Sequence, residues 1–118
     1  MRFEDSLNIV YDIKTKDFDV PSLTIQTLIE NAVNHGVGNK EEGGTVTLKT
    51  YEDASFYYVE VVDDGIGFDI NAPLDEKRSH IGIQNAKERI HLAGGELIIN
   101  STIGVGTQII IKLPKEDR

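Results

Sequence analysis

The 118 residues predict an α+β fold: a two-layer α/β sandwich whose mixed, mostly antiparallel sheet carries its helices on one face. Three observations carry that expectation. Periodicity gives the order strand, helix, two strands, long loop, helix, two strands, which lacks the strict βαβ alternation of a doubly wound sheet. Ile25, Leu28, Ile29 and Ala32 recur at helical spacing, the apolar stripe of a helix lying on a core. The chain is 39% apolar, enough for one modest core, so residues 1–118 read as a single domain.

Each element has its own signal. Residues 7–12 (LNIVYD) alternate as a strand, with apolar side chains at 7, 9 and 11. Pro21 sits where a first helical position tolerates a missing N–H, residues 22–35 follow as a helix, and Gly36 stops it. Residues 37–44 (VGNKEEGG) are a loop. Two β-branched and aromatic runs, 45–52 and 56–62, flank the short polar piece DAS as an antiparallel hairpin. Residues 63–80 have little periodicity and form a long loop, of the kind that is usually functional or mobile. A second helix spans 81–92 and ends at Gly94-Gly95. Strands at 96–100 and 107–113 are joined by STIGVG, and the tail KEDR is expected to fray.

Composition removes whole classes of function. Twelve Lys and Arg against twenty Asp and Glu give a net charge of −8, so no nucleic-acid partner is expected. A nucleotide held through a bridging Mg²⁺ stays open, because the ion brings its own positive charge. With no Cys there is no disulfide, thiol catalysis or iron–sulfur cluster. The longest apolar run is four residues, 56–59, and the start MRFEDS has no apolar segment of a signal peptide. A cytoplasmic domain, possessing no membrane span of its own, is the expectation.

Four segments could carry chemistry. On the first helix Thr24, Thr27, Asn31, Asn34 and His35 share a neutral, amide-rich stripe opposite the apolar one. An Asn carbonyl oxygen is a hard ligand for Mg²⁺ that adds no negative charge beside phosphates; the plainer alternative is the polar side of an amphipathic helix. In VVDDGIGFD a strand delivers Asp63 to a turn containing Gly65 and Gly67, where glycine lets a ligand approach the backbone. A strand-end carboxylate in an apolar pocket can accept a hydrogen bond from an exocyclic amine, as adenine recognition needs; a tight turn with an incidental acid is the alternative. Gly82 opens the second helix, whose free N–H groups suit phosphate, with Lys87 and Arg89 as nearby charge or as mere surface residues. The turn Gly104-Val105-Gly106-Thr107 is ordinary alone, but it can set the Thr107 hydroxyl beside Asp63.

In this order over most of the chain, the segments resemble the ATP-binding catalytic domain of sensor histidine kinases, of the Bergerat fold shared with gyrase B, Hsp90 and MutL. The stretch from Pro21 through Leu23, Gln26, Leu28, Glu30-Asn31-Ala32 and His35-Gly36 is similar to the pattern of LytS- and YesM-like kinases, and residues 83–90 (IQNAKERI) are similar to their following helix. The resemblance implies ATP and Mg²⁺ as cofactors. It implies Asn31 as the Mg²⁺ ligand, Asn34 and His35 beside phosphates and nucleoside, and Asp63 on the adenine amino group. Gly65 and Gly67 belong to the same box, Gly82 to the base of the lid, Thr107 supports adenine through water, and residues 68–80 form the ATP lid. It also implies partners: the histidine-bearing dimerisation helices of the same kinase, expected to precede residue 1 (Arg2-Phe3 resembles the end of their connection), and a response regulator downstream. The isolated domain is expected to be a monomer within the cytoplasmic part of a membrane-anchored kinase.

Two positions depart from the superfamily pattern. The residue one helical turn before Asn31, an activating Glu in the hydrolysing branch, is Thr27; Glu30 lies about 100° round the helix and does not replace it. His80 stands where the lid often has a glycine. His35, His80 and His91 are the only histidines, and none has the setting of a phosphoacceptor. The alternatives kept open are a degenerate nucleotide- or partner-binding module and an anti-sigma-type serine kinase of the same fold; an ATP-driven clamp is disfavoured by Thr27.

Overall fold

The computed structural model describes residues 7–15, 18–21, 23–36, 44–69 and 81–115. Five strands, β1 (Leu7–Ile13), β2 (Gly44–Glu52), β3 (Phe56–Asp63), β4 (Glu96–Thr102) and β5 (Gly106–Pro114), form one sheet in the order β1-β2-β3-β5-β4. β1 runs parallel to β2 and every other pair is antiparallel, the mixed sheet expected. Helices α1 (Thr24–Asn31) and α2 (Ile81–Leu92) pack against each other, and α2 packs on β4.

Alternation along the strands assigns the two faces. Val46, Val59, Val61, Ile109, Ile111 and Leu97 meet Leu28, Ala32, Ile83, Ala86 and Ile90 of the helices in one core. On the opposite face Tyr51 stacks on Tyr58 at 4.8 Å and donates its hydroxyl to the Glu60 carboxylate, which also accepts from Gln108 Nε2 at 3.0 Å. The Lys112 ammonium lies 4.2 Å from the Phe56 ring centre. The buried Glu60 therefore has its oxygens satisfied without belonging to the core.

The hairpin turn DAS is built by Asp53. Its Oδ1 accepts the backbone N–H groups of Ser55 and Phe56, both at 2.8 Å, and its Oδ2 accepts from the Tyr58 hydroxyl at 2.8 Å. α2 ends as expected at its two glycines, the Gly95 N–H bonding the Ile90 carbonyl at 2.9 Å.

The first helix differs from expectation at both ends. It starts at Thr24, not at residue 22: Leu23 takes a left-handed φ of 65° as its cap, and the Thr27 N–H reaches the Leu23 carbonyl at 2.9 Å. Beyond Asn31 the helix widens into a π-helical turn, Ala32–Gly36, which packs on β3 and β5. Thr24, expected on the polar stripe, is wholly buried in the core. The strands run one or two residues longer than periodicity suggested, so Ser101 and Thr102 belong to β4. Loop residues 37–43, the lid beyond 69 with His80, the tail 116–118, Arg2-Phe3 and the His35 side chain lie outside the described residues. Among the described residues no helix is long and apolar enough to cross a membrane.

Candidate nucleotide site

Strand pairing brings two of the expected residues together. Asp63 and Thr107 are partners across β3 and β5, at the end of the sheet where β2 begins. By alternation with Val59 and Val61, the Asp63 side chain projects toward the helices, and it is only 7% exposed. Burial raises its pKa, while backbone N–H groups of Gly65 and Thr107 pull it back and the neighbouring Asp64 adds to the rise. The Gly65 N–H donates to Asp63 Oδ1 at 2.9 Å. A buried carboxylate with acceptor capacity left is suited to an N–H donor of a ligand.

The turn that follows is clamped to the β4–β5 hairpin. Gly67 has φ 68°, and a Cβ there would fall 2.1 Å from the Thr102 carbonyl oxygen. Gly106 has φ 139°, and its Cβ would fall 2.1 Å from the Asp63 carbonyl oxygen. Only glycine allows both approaches. The Gly104 N–H donates to the Ile66 carbonyl at 2.8 Å, and the Phe68 N–H donates to Ser101 Oγ at 2.8 Å. Ser101 Oγ in turn lies 2.8 Å from Thr107 Oγ1. Ser101 thus links the start of the expected lid to the Thr107 hydroxyl. Sequence reasoning missed it by assigning it to a loop; its only signal was the β-compatible run of β4 continuing one rung further.

The π turn that follows Asn31 packs on β3 and β5, the strands that carry Asp63 and Thr107. The Asn31 side chain is half-buried and hydrogen-bonded to none of the described residues. Asn34 is exposed, the wider turn having carried it off the α-helical stripe. Gly82 opens α2 directly against α1: a Cβ there would meet Thr27 Cγ2 at 3.1 Å. This glycine therefore lets the two helices approach at Thr27, one turn before Asn31. Glu30 is exposed on the outer side, accepting from Gln26 Nε2 at 3.1 Å, and does not face the site. Lys87, Arg89 and His91 are exposed on α2.

Among the described residues no cluster of three His, Cys, Asp or Glu could hold a metal ion unaided. A cation bound here would need oxygens from a phosphate ligand beside the free Asn31 amide, which is a fitting arrangement for a nucleotide-borne ion. A separate cavity of about 470 Å³ opens on the other face of the sheet, among Thr47, Val62, Asn100, Val105 and Gln108. It shares the Asp63–Thr107 rung but lies on the side away from Asn31.

Known proteins agree with this architecture. YpdA of Escherichia coli (strain K12), a sensor histidine kinase, is 31% identical over 98% of the chain. The sensor histidine kinase YesM of Bacillus subtilis (strain 168) is 31% identical over 96% of it. The chain spans only 21% and 20% of these relatives' lengths. In structure, the blue-light activated histidine kinase EL346 of Erythrobacter litoralis superposes on 92% of the chain, and the chain on 35% of that protein, with a TM-score of 0.73 at 23% identity; this is a likeness of fold. Residues 17–117 match the family described as histidine kinase-, DNA gyrase B- and HSP90-like ATPase. A mixed five-stranded sheet with its helices on one face fits that match, and the chain belongs to this ATPase family.

Proposed function

We propose that the chain is the ATP-binding catalytic domain of a two-component sensor histidine kinase, which presents Mg-ATP for γ-phosphoryl transfer to a histidine on a separate dimerisation domain. The observation that carries this is the buried Asp63 on one rung with Thr107, clamped by Gly67 and Gly106, on a strand against which the turn following Asn31 packs. Asp63 accepts the adenine amino group and Thr107 steadies the base. Asn31 contributes an oxygen to Mg²⁺, which neutralises phosphate charge when bound. Gly65 supplies the N–H that orients Asp63. Asn34, His35 and Gly82 border the phosphates. Thr27 cannot take a proton from water, which suits a domain that must spare ATP for transfer. The nucleophile is an imidazole outside the described residues, and a neutral imidazole attacks with its own lone pair. The partners are those helices and a response regulator, and the setting is the cytoplasmic side of a membrane-anchored kinase.

Calorimetry of ATP binding with and without Mg²⁺ tests this. Wild type should bind, Asp63→Ala should lose adenine-selective binding, and Asn31→Ala should lose only the Mg²⁺ dependence. A folded wild type that fails to bind millimolar ATP overturns the proposal in favour of a partner-binding module.

A further inference from the structure

The rung that holds Asp63 has a third member. Asp63 on β3 pairs with Thr107 on β5, and Thr107 pairs with Ser101 on β4. Directly paired residues share a face of the sheet, so the three side chains stand in one row on the helix side. Asp63 and Thr107 are buried and Ser101 is half-buried. A hydroxyl has one proton to donate and two lone pairs to accept with, and at Ser101 their uses can be counted. Its Oγ accepts the Phe68 N–H at 2.8 Å and lies 2.8 Å from Thr107 Oγ1. Its remaining contact among the described residues is the Gly106 carbonyl oxygen, at 3.3 Å. Bonds between a hydroxyl and an oxygen are made at about 2.5–3.0 Å, so the Ser101 proton is better spent on Thr107 than on Gly106. Thr107 then receives a proton from Ser101 and keeps its own for a ligand.

We propose that Ser101 is a positioning residue that fixes Thr107 as a hydrogen-bond donor, so that the rung prefers a 6-aminopurine to a 6-oxopurine. This rests on the reading of Asp63 and Thr107 as the base-binding pair. The run from the Phe68 N–H through Ser101 to Thr107 points in one direction, and each bond in such a chain strengthens the next. It leaves an acceptor, the Asp63 carboxylate, beside a donor, the Thr107 hydroxyl. Adenine offers the complement on one edge, an amino N–H next to a bare ring nitrogen. Hypoxanthine offers the reverse, a carbonyl oxygen next to a ring N–H. To accept that N–H, Thr107 has to turn its proton back onto Ser101. The Ser101 proton is then left with the 3.3 Å contact to Gly106. Ser101 touches no ligand in this scheme and acts only through Thr107.

Calorimetry with ATP and with inosine triphosphate, which differ only at this edge of the base, tests the proposal. Wild type should prefer ATP. Ser101→Ala should weaken ATP binding about three- to tenfold, the worth of one neutral hydrogen bond, and leave inosine triphosphate binding nearly unchanged, so the preference shrinks. Ser101→Thr keeps the hydroxyl and should keep the preference. In a Thr107→Val background Ser101→Ala should change neither affinity further, because no hydroxyl remains for it to orient. A merely structural role would lower both affinities together and would persist in that background; either result overturns the proposal. If wild type prefers ATP and Asp63→Asn removes the preference, while Ser101→Ala keeps it, the role of Ser101 falls and the base-binding pair stands. A folded wild type that binds neither triphosphate overturns both.

Discussion

Replacing Gly106 by alanine separates close approach from backbone conformation, because Gly104 provides the control. Both glycines have positive φ, 139° and 84°, in the same hairpin. At Gly104 an added Cβ meets nothing within 4 Å; at Gly106 it falls 2.1 Å from the Asp63 carbonyl oxygen and 3.0 Å from Asp64 Cα. Gly104→Ala should therefore cost only the left-handed conformation, about 1–2 kcal/mol. Gly106→Ala adds overpacking against backbone that has no rotamer to escape into, a further ~1–3 kcal/mol. Its own φ lies in a region nearly closed to side chains, at about 1–3 kcal/mol. The sum, ~2–6 kcal/mol, is a large share of the ~5–15 kcal/mol that holds a domain together. Urea unfolding followed by circular dichroism reads the difference: with a slope of about 2 kcal/mol per molar, Gly106→Ala should unfold at least 1 M earlier than wild type. It should also weaken ATP binding, since relief of the clash moves the Asp63 backbone. Equal midpoints for Gly106→Ala and Gly104→Ala would refute the clamp between the glycine turn and β3.

Three further outcomes follow from buried or bonded polar groups. Asp63→Asn should abolish adenine-selective binding while leaving the ligand-free domain as stable as wild type or more so near neutral pH. The reason is that burial raises the folded carboxyl above its unfolded value, so stability falls as pH rises from the unfolded pKa through the folded one; a lower melting temperature for Asp63→Asn at pH 7 would contradict this. Thr24→Val should stabilise by about 1 kcal/mol in urea titration, because the wholly buried Thr24 hydroxyl has no hydrogen-bond partner among the described residues. Burial first, and then its bond to Glu60, push the Tyr51 phenol up to about 12; Tyr51→Phe should delete the most alkaline transition in a phenolate absorbance titration, and wild-type stability should begin to fall above about pH 10 as unfolded Tyr51 ionises first.

Much of the arrangement was legible because period and punctuation agreed. The β-branched and aromatic runs marked β2, β3 and β5, and Gly94-Gly95 closes α2. Asp63 and Thr107 were both expected at strand ends, and register made them neighbours. What escaped depended on tertiary contact. No local signal distinguishes the buried Thr24 from the half-buried Thr27 on the same stripe; the difference is set by which side meets the sheet. The π turn after Asn31 arises where the helix meets β3 and β5 and has no propensity signature. Gly82's place at a helix start suggests a phosphate-facing glycine, yet its missing side chain also makes room for Thr27 across the helix pair.

The two ends of the candidate site differ in how much of them is built before a ligand arrives. At the Asp63 end every element is bonded to a neighbour: Asp63 to Gly65, Ser101 to Phe68 and Thr107, Gly104 to Ile66, with Thr45 donating its N–H to Asp64 Oδ1 at 2.8 Å. Those bonds tie β2, β3, β4 and β5 into one rigid rim, so base recognition should incur little ordering cost. At the Asn31 end the amide has no hydrogen bond within the described residues, and no acidic cluster waits for a cation. On the proposed function, phosphates and Mg²⁺ would complete this end. A site divided in this way predicts that adenosine alone retains binding, that its affinity is indifferent to Mg²⁺, and that Mg²⁺ dependence appears only with the phosphate chain. Calorimetry with adenosine, ADP and ATP separates the two ends, and a Mg²⁺-dependent affinity for adenosine would show that the rim is not preformed.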